Sequence, residues 1–284
     1  MTARTIARLH PAQRDDIADL VTRRPVPGPG LERVGAFLFL NHHGPQVYAP
    51  GSNGLPFGPH PHRGFETVTF IVEGELAHRD SGGHESIIGP GGVQWMTAGS
   101  GLVHEEVSPE DFKKRGGAME ILQLWVNLPA RLKMTSPRYI GLQGNEIPAV
   151  AAGDGVTVHL ISGEYAGRKG PVASLTGVFM STVEMKARAR VRFDRLKGRD
   201  VFLYVVRGEV TIGGRKASAW HLVELSDGER IEIEAAQDSL LLFGHAEPIR
   251  EPVVAYGPFV MNSEDEIRQA YADYRAGKYA APSA

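Results

Sequence analysis

The sequence predicts an all-β chain built as two tandem β units and closed by one short C-terminal helix. Three observations lead there. Short runs of β-branched and aromatic residues recur between turn residues, and 34 Gly and 19 Pro are too many for a helical protein but suit the spaces between strands. The stretch Phe70-Ile-Val-Glu-Gly-Glu-Leu76 returns 134 positions later as Tyr204-Val-Val-Arg-Gly-Glu-Val210, close to half of the 284-residue chain, as two related units would require. Near the end, Ser263 with Glu266 makes a capping box, and Ile267, Ala270, Tyr271 and Tyr274 recur at helical spacing.

In chain order, Pro25, Pro27 and Pro29 interleave with Gly28 and Gly30 as a loop that leads into the apolar run Val34 to Leu40. Strands are then predicted over Glu66 to Val72, stopped at Gly74, over Ser86 to Ile88, stopped at Gly89-Pro-Gly-Gly92, over Val93 to Met96, and over Ile121 to Val126, stopped near Pro129. Irregular text between Pro129 and Gly155 reads as a linker, which places the domains at 1–135 and 136–284. The terminal helix is expected to stop near Gly277.

Composition removes several function classes. Thirty-one Lys and Arg against 33 Asp and Glu give a net charge of -2, so no broad positive field is present to hold nucleic acid. The absence of cysteine excludes disulfides, thiolate nucleophiles, Cys-ligated zinc and iron–sulfur clusters, so any bound metal must use His and carboxylates. Met1 to Asp16 lacks the apolar stretch of a secretory signal and no run reaches membrane length, from which a cytoplasmic location is expected. Gly99-Ser-Gly-Leu-Val-His104 lacks the third glycine and the helix of a dinucleotide fingerprint, and Gly89-Pro-Gly-Gly92 lacks the Lys-Ser/Thr of a phosphate loop.

The chemistry gathers in the first half. His60-Pro61-His62 sets two imidazoles at i and i+2, which share one face of an extended segment. His104-Glu105-Glu106 repeats the geometry with an imidazole and a carboxylate. Two such strands crossing a barrel would bring together three neutral nitrogens and one carboxylate, a donor set for Fe(II), Mn(II), Ni(II), Cu(II) or Zn(II) with coordination positions left open. Spacing alone leaves a second reading open, that of unrelated surface or core histidines. The positions 134 downstream of His60, His62 and His104 are Asp194, Leu196 and Asp238, so the second half carries no such cluster.

Gly58-Pro-His-Pro-His-Arg-Gly-Phe-Glu-Thr-Val68 and Gln94-Trp-Met-Thr-Ala-Gly-Ser-Gly-Leu-Val-His-Glu-Glu106 resemble the pirin family of the cupin superfamily. So do Leu122-Gln-Leu-Trp-Val-Asn-Leu128 and Glu251-Pro-Val-Val-Ala-Tyr-Gly-Pro-Phe-Val-Met-Asn262, so the resemblance covers both halves. It implies a bicupin, two double-stranded β-helix barrels of the jelly-roll kind in tandem, with metal only in the N-terminal one. It also implies iron ligands at His60, His62, His104 and Glu106. The general cupin pattern would instead nominate Glu66, which is then expected to hold an imidazole N–H from outside the coordination shell. Where many pirins have Asp-His-Phe-Gly-Pro, this chain has Asn41-His-His-Gly-Pro45, and the unusual His43 is expected in a solvated loop. His78 and His84 are expected to be exposed.

The activity implied by resemblance is dioxygenase chemistry of the quercetin 2,3-dioxygenase type. A flavonol-like substrate and O2 would be the partners, one mononuclear ion, foremost Fe(II), the cofactor, and Glu106 both ligand and general base. Phe57, Phe65, Val68, Phe70, Trp95, Met96 and Trp125 are the expected walls of the substrate cavity. The alternative implied by animal pirins is an iron-binding redox sensor that acts on a transcription factor or metabolic enzyme by protein–protein contact.

Overall fold

A computed structural model describes residues 2–279 of the chain. Two compact units are present, and the chain alternates between them. One unit holds Arg14–Thr22, Leu40–Asn145 and the described residues from Ile249 on; the other holds the described residues up to Gln13, Arg23–Phe39 and Glu146–Pro248.

In the first unit, five strands of one antiparallel sheet run in the order Arg138–Leu142, Val93–Thr97, Phe65–Glu73, Gly117–Asn127 and Phe37–Tyr48. A second, four-stranded antiparallel sheet runs Phe57–His62, Leu102–Val107, Leu76–Asp80 and Glu85–Ile88. Ile71, Leu76, Ile88, Phe112, Met119 and Ile121 form an apolar core between elements of both sheets. The helix Glu264–Arg275 is capped as expected, with the Glu266 N–H donating to Ser263 Oγ at 3.3 Å. Ile267 and Ala270 face inward, whereas Tyr274 stays exposed.

The other unit repeats the plan. Its larger sheet runs Ile6–Pro11, His221–Leu225, Asp200–Arg207, Ser239–Ala246, Phe179–Met185, Val156–Ser162 and Ala149–Ala151, and its smaller one Arg190–Phe193, Ile231–Ala235, Glu209–Ile212 and Arg215–Ser218. The repeated motif marks the same hairpin in each unit. Gly74 (φ +89) and Gly208 (φ +86) follow strands Phe65–Glu73 and Asp200–Arg207, in a left-handed conformation where an L side chain is strained.

The expected division at 135/136 does not match this partition. Ile6–Pro11 pairs antiparallel with His221–Leu225, so the N-terminal strand completes the sheet made by the C-terminal half. The segment after Ile249 belongs in turn to the unit made by the N-terminal half. Local patterning reveals strands, but which free sheet edge a strand covers is decided by pairing distant in sequence. Among the described residues no helix is long and apolar enough to cross a membrane.

Candidate metal centre

Strands Phe57–His62 and Leu102–Val107 pair antiparallel with His60 opposite His104 and Leu102 opposite His62. Opposed residues of an antiparallel pair, and residues two apart on one strand, project to a common face. The register therefore carries His60, His62 and His104 to one side. One ligating nitrogen from each lies within 4.8 Å of the others, and among the described residues this is the one group of three or more His, Asp or Glu side chains so placed.

Hydrogen bonding has already set the tautomers. His60 Nδ1 donates to the Gly58 carbonyl at 2.8 Å and His62 Nδ1 to the Pro258 carbonyl at 3.1 Å, which leaves the Nε2 lone pair of each for a metal. His104 is 1% exposed, and neither of its ring nitrogens has a hydrogen-bond partner. Burying such a group unpaired costs about 1–3 kcal/mol, so a site that leaves both nitrogens unmet is built for something that takes a lone pair. Burial pushes the His62 imidazole down to about 3, with the nearby His60 adding to the shift. Burial also holds His104 well below the ordinary range, helped by His62, His60 and His78. Three imidazoles that turn nitrogen lone pairs toward one point fit a divalent cation of the borderline class. His60 is half-buried, so the cluster is open on that side.

Glu106 lies two residues beyond His104 on the same strand and is 2% exposed, but it stands outside the group of three. Its Oε1 accepts from Thr69 Oγ1 at 2.7 Å and its Oε2 from Gln123 Nε2 at 3.0 Å. A carboxylate offers about four lone-pair positions, so acceptor capacity remains. Glu105 points the other way, with Arg79 Nη1 at 3.8 Å from its Oε1. Glu66 does not hold an imidazole: its partners are Thr97 Oγ1, at 2.7 Å, and the Trp95 side chain. Burial raises its carboxyl despite those two hydrogen bonds.

Strand register sorts the expected walls. Thr69 faces Glu106, and Gln123 and Gln94 lie directly opposite Thr69 on its two neighbouring strands. On that same face lie Phe65, Thr67, Met96 and Trp125, and Phe57 stands opposite Glu106 on the ligand strands. The Phe65 ring is 5.0 Å from that of His62 and 4.5 Å from Trp125, and Trp125 is 5.4 Å from His62. Val68, Phe70 and Trp95 belong to the other face, with Glu66. They are corrected from wall to packing residues, because one position along a strand reverses the side-chain direction.

Two histidines also differ from expectation. His43 is 1% exposed within strand Phe37–Tyr48, its Nδ1 2.8 Å from Thr22 Oγ1 and its ring 5.1 Å from Phe57. His78 is buried, stacked on Tyr139 at 4.1 Å, and 5.5 Å from the His104 ring. Its Nε2 pairs with Asp80. Burial would raise the Asp80 carboxyl, but hydrogen bonds from His78 and His84 outweigh it and bring it to about 2. His84 is exposed, as expected. The polar residues on the face that meets Glu106, Thr69, Gln94 and Gln123, were not foreseen. The available signal was a polar residue at the inward position of an otherwise apolar strand, as in Ile121-Leu-Gln-Leu-Trp-Val126.

The family model described as Pirin matches residues 19–126, and that of the Pirin C-terminal cupin domain matches residues 180–280. The chain is 40% identical over 250 residues to a Pseudomonas aeruginosa protein named "Putative quercetin 2,3-dioxygenase PA2418", with 87% of each chain covered. The chain belongs to the pirin family. Human Pirin is 38% identical over 265 residues, covering 90% of this chain and 87% of its own. Among solved structures, a quercetin 2,3-dioxygenase from Acinetobacter baumannii superposes with a TM-score of 0.89 at 30% identity over 99% of both chains. The two units are therefore cupin barrels, and this chain is a bicupin.

Proposed function

We propose that this pirin is a metal-dependent dioxygenase that opens the heterocycle of flavonols such as quercetin. Both atoms of O2 enter the ring-opened ester, and the carbon between the two cleaved bonds leaves as carbon monoxide. The observation that carries the reading is the convergence of three buried or half-buried imidazoles, one with both nitrogens unmet, near a buried carboxylate on the strand of His104. The names of the similar bacterial proteins support it.

His60, His62 and His104 would hold the ion, foremost Fe(II), with Glu106 as the fourth ligand. A divalent cation held there would supply Lewis acidity toward a phenolate oxygen and a redox-active partner for O2. Glu106 accepts the proton of the flavonol 3-hydroxyl, while Thr69 and Gln123 fix the direction of its oxygens. The half-buried Phe57 and Trp125 offer aromatic surface to flat rings, backed by the buried Phe65 and Met96 on the Trp125 face.

The test is oxygen uptake and carbon monoxide release by Fe(II)-loaded protein given quercetin. Turnover is expected in the native chain, and Glu106→Gln should keep bound metal but lose turnover by about 100-fold or more. Metal-loaded native protein that consumes no oxygen would contradict the enzyme reading and turn attention to metal-dependent capture of a protein partner. Full activity in Glu106→Gln would remove that residue from the proton step.

A further inference from the structure

Among the described residues, the chain after Ile249 meets the ligand strands at the end they share. There Leu102 pairs with His62, and the His62 Nδ1–H is held by the Pro258 carbonyl at 3.1 Å. Arg63, the next residue, is gripped from several sides. Its Nε donates to the Ser100 carbonyl at 2.7 Å, its Nη1 to Asp273 Oδ2 at 2.8 Å, and its guanidinium lies 4.6 Å from the centre of the Tyr279 ring. The Val260 N–H returns a bond to the Arg63 carbonyl at 3.1 Å. Lys133 Nζ then ties the Gly64 carbonyl (2.8 Å) to the Val260 carbonyl (2.9 Å). Gly101, just before the second ligand strand, has no room for a Cβ, which would stand 2.6 Å from the Tyr279 ring.

These contacts do more than pack a helix. One fixes the ring orientation of a ligand directly, and the others pin the backbone immediately after His62 and before Leu102. We propose that the segment Pro258–Tyr279 is a latch for metal retention, with Asp273 and Tyr279 as positioning residues that act through Arg63. The inference rests on the metal reading of the three histidines. Release of an ion from this cluster requires an imidazole to swing its Nε2 away. With Pro258 and Arg63 in place, the swing of His62 requires the C-terminal segment to open first, so the frequency of local opening governs how often this ligand lets go.

The experiment loads the full-length protein with Ni(II), an ion that imidazole binds well, and follows its transfer to excess EDTA. Asp273→Ala is expected to release Ni(II) about tenfold faster than the native chain, and Asp273→Glu to recover part of the difference. Ile121→Val, a core change in the same unit away from the latch, serves as the stability control and is expected to release at the native rate. Native-rate release from folded Asp273→Ala would overturn the proposal, as would equal acceleration in Ile121→Val. Should Asp273→Ala not fold, Tyr279→Leu is read in its place, with the same expected and contrary results. Native protein that takes up no Ni(II) would overturn both the latch and the metal reading, whereas native retention with no faster variant would overturn the latch alone.

Discussion

The two barrels share a plan and differ in what lines them. On strand Phe65–Glu73 the face that meets Glu106 carries Thr67, Thr69 and Ile71, whereas the positions 134 later on strand Asp200–Arg207 are Val201, Leu203 and Val205. All three of the latter belong to an apolar cluster that also contains Phe179, Phe193 and Phe243. The downstream counterparts of the ligands serve other ends: Leu196 is fully buried in that cluster, Asp194 pairs with Arg192, and Asp238 pairs with Lys186. One barrel interior is thus committed to packing, and the other gives up apolar contact for polar groups, some paired with one another and some, His104 and Gln94, left unmet. The same hairpin serves both, so the fold does not dictate the chemistry; the inward positions do.

The largest effect that would sharpen this contrast lies in the packed barrel. Phe243 is fully buried and stacks on Phe193 at 4.0 Å, and Phe243→Ala should cost about 3–5 kcal/mol in chemical denaturation while bound metal per chain stays unchanged. A change in metal content would show that the barrels are not separate in function. Per pH unit, a smaller effect is expected from acid. An unfolded imidazole binds a proton below about pH 6.5, but His62 in the folded chain does not until about 3, so the unfolded state takes up more protons across that window. Stability of the metal-free protein therefore falls as pH falls, by about 1.4 kcal/mol per pH unit for this residue alone. Trp95 and Trp125 report on this unit, and His62→Gln should flatten the pH slope of their unfolding signal by that amount. His245 in the other unit, pushed down to about 3 by burial and by the nearby Arg199 and Arg4, adds its own loss over the same range. An unchanged slope in His62→Gln would contradict the buried neutral state of that imidazole.

Much of this contrast was legible in the sequence. The i, i+2 spacing of His60 with His62 and of His104 with Glu106 suffices to put each pair on one face once the segments are extended, and the repeated motif announced two related hairpins. The capping box at Ser263 marked the helix. Long-range pairing was not legible. Nothing local to Ile6–Pro11 says that it covers the edge at His221–Leu225, and nothing in Pro258 says that its carbonyl meets His62. Strand direction was the other gap. Val68, Phe70 and Trp95 are as aromatic or apolar as Phe65 and Trp125, and only the register of neighbouring strands separates the face that meets the ligands from its reverse. His43 shows the same limit in polar form: a histidine beside Gly44-Pro45 reads as loop, but it is enclosed within a strand and bonded to Thr22.

The most direct test of the three-imidazole centre is elemental analysis of metal-saturated, extensively dialysed protein, native and His104→Ala. One ion per chain is expected for the native protein. In His104→Ala affinity should fall by more than about 100-fold, leaving the dialysed variant essentially free of metal. A native chain that retains none, or a His104→Ala chain that retains its full complement, would contradict the account.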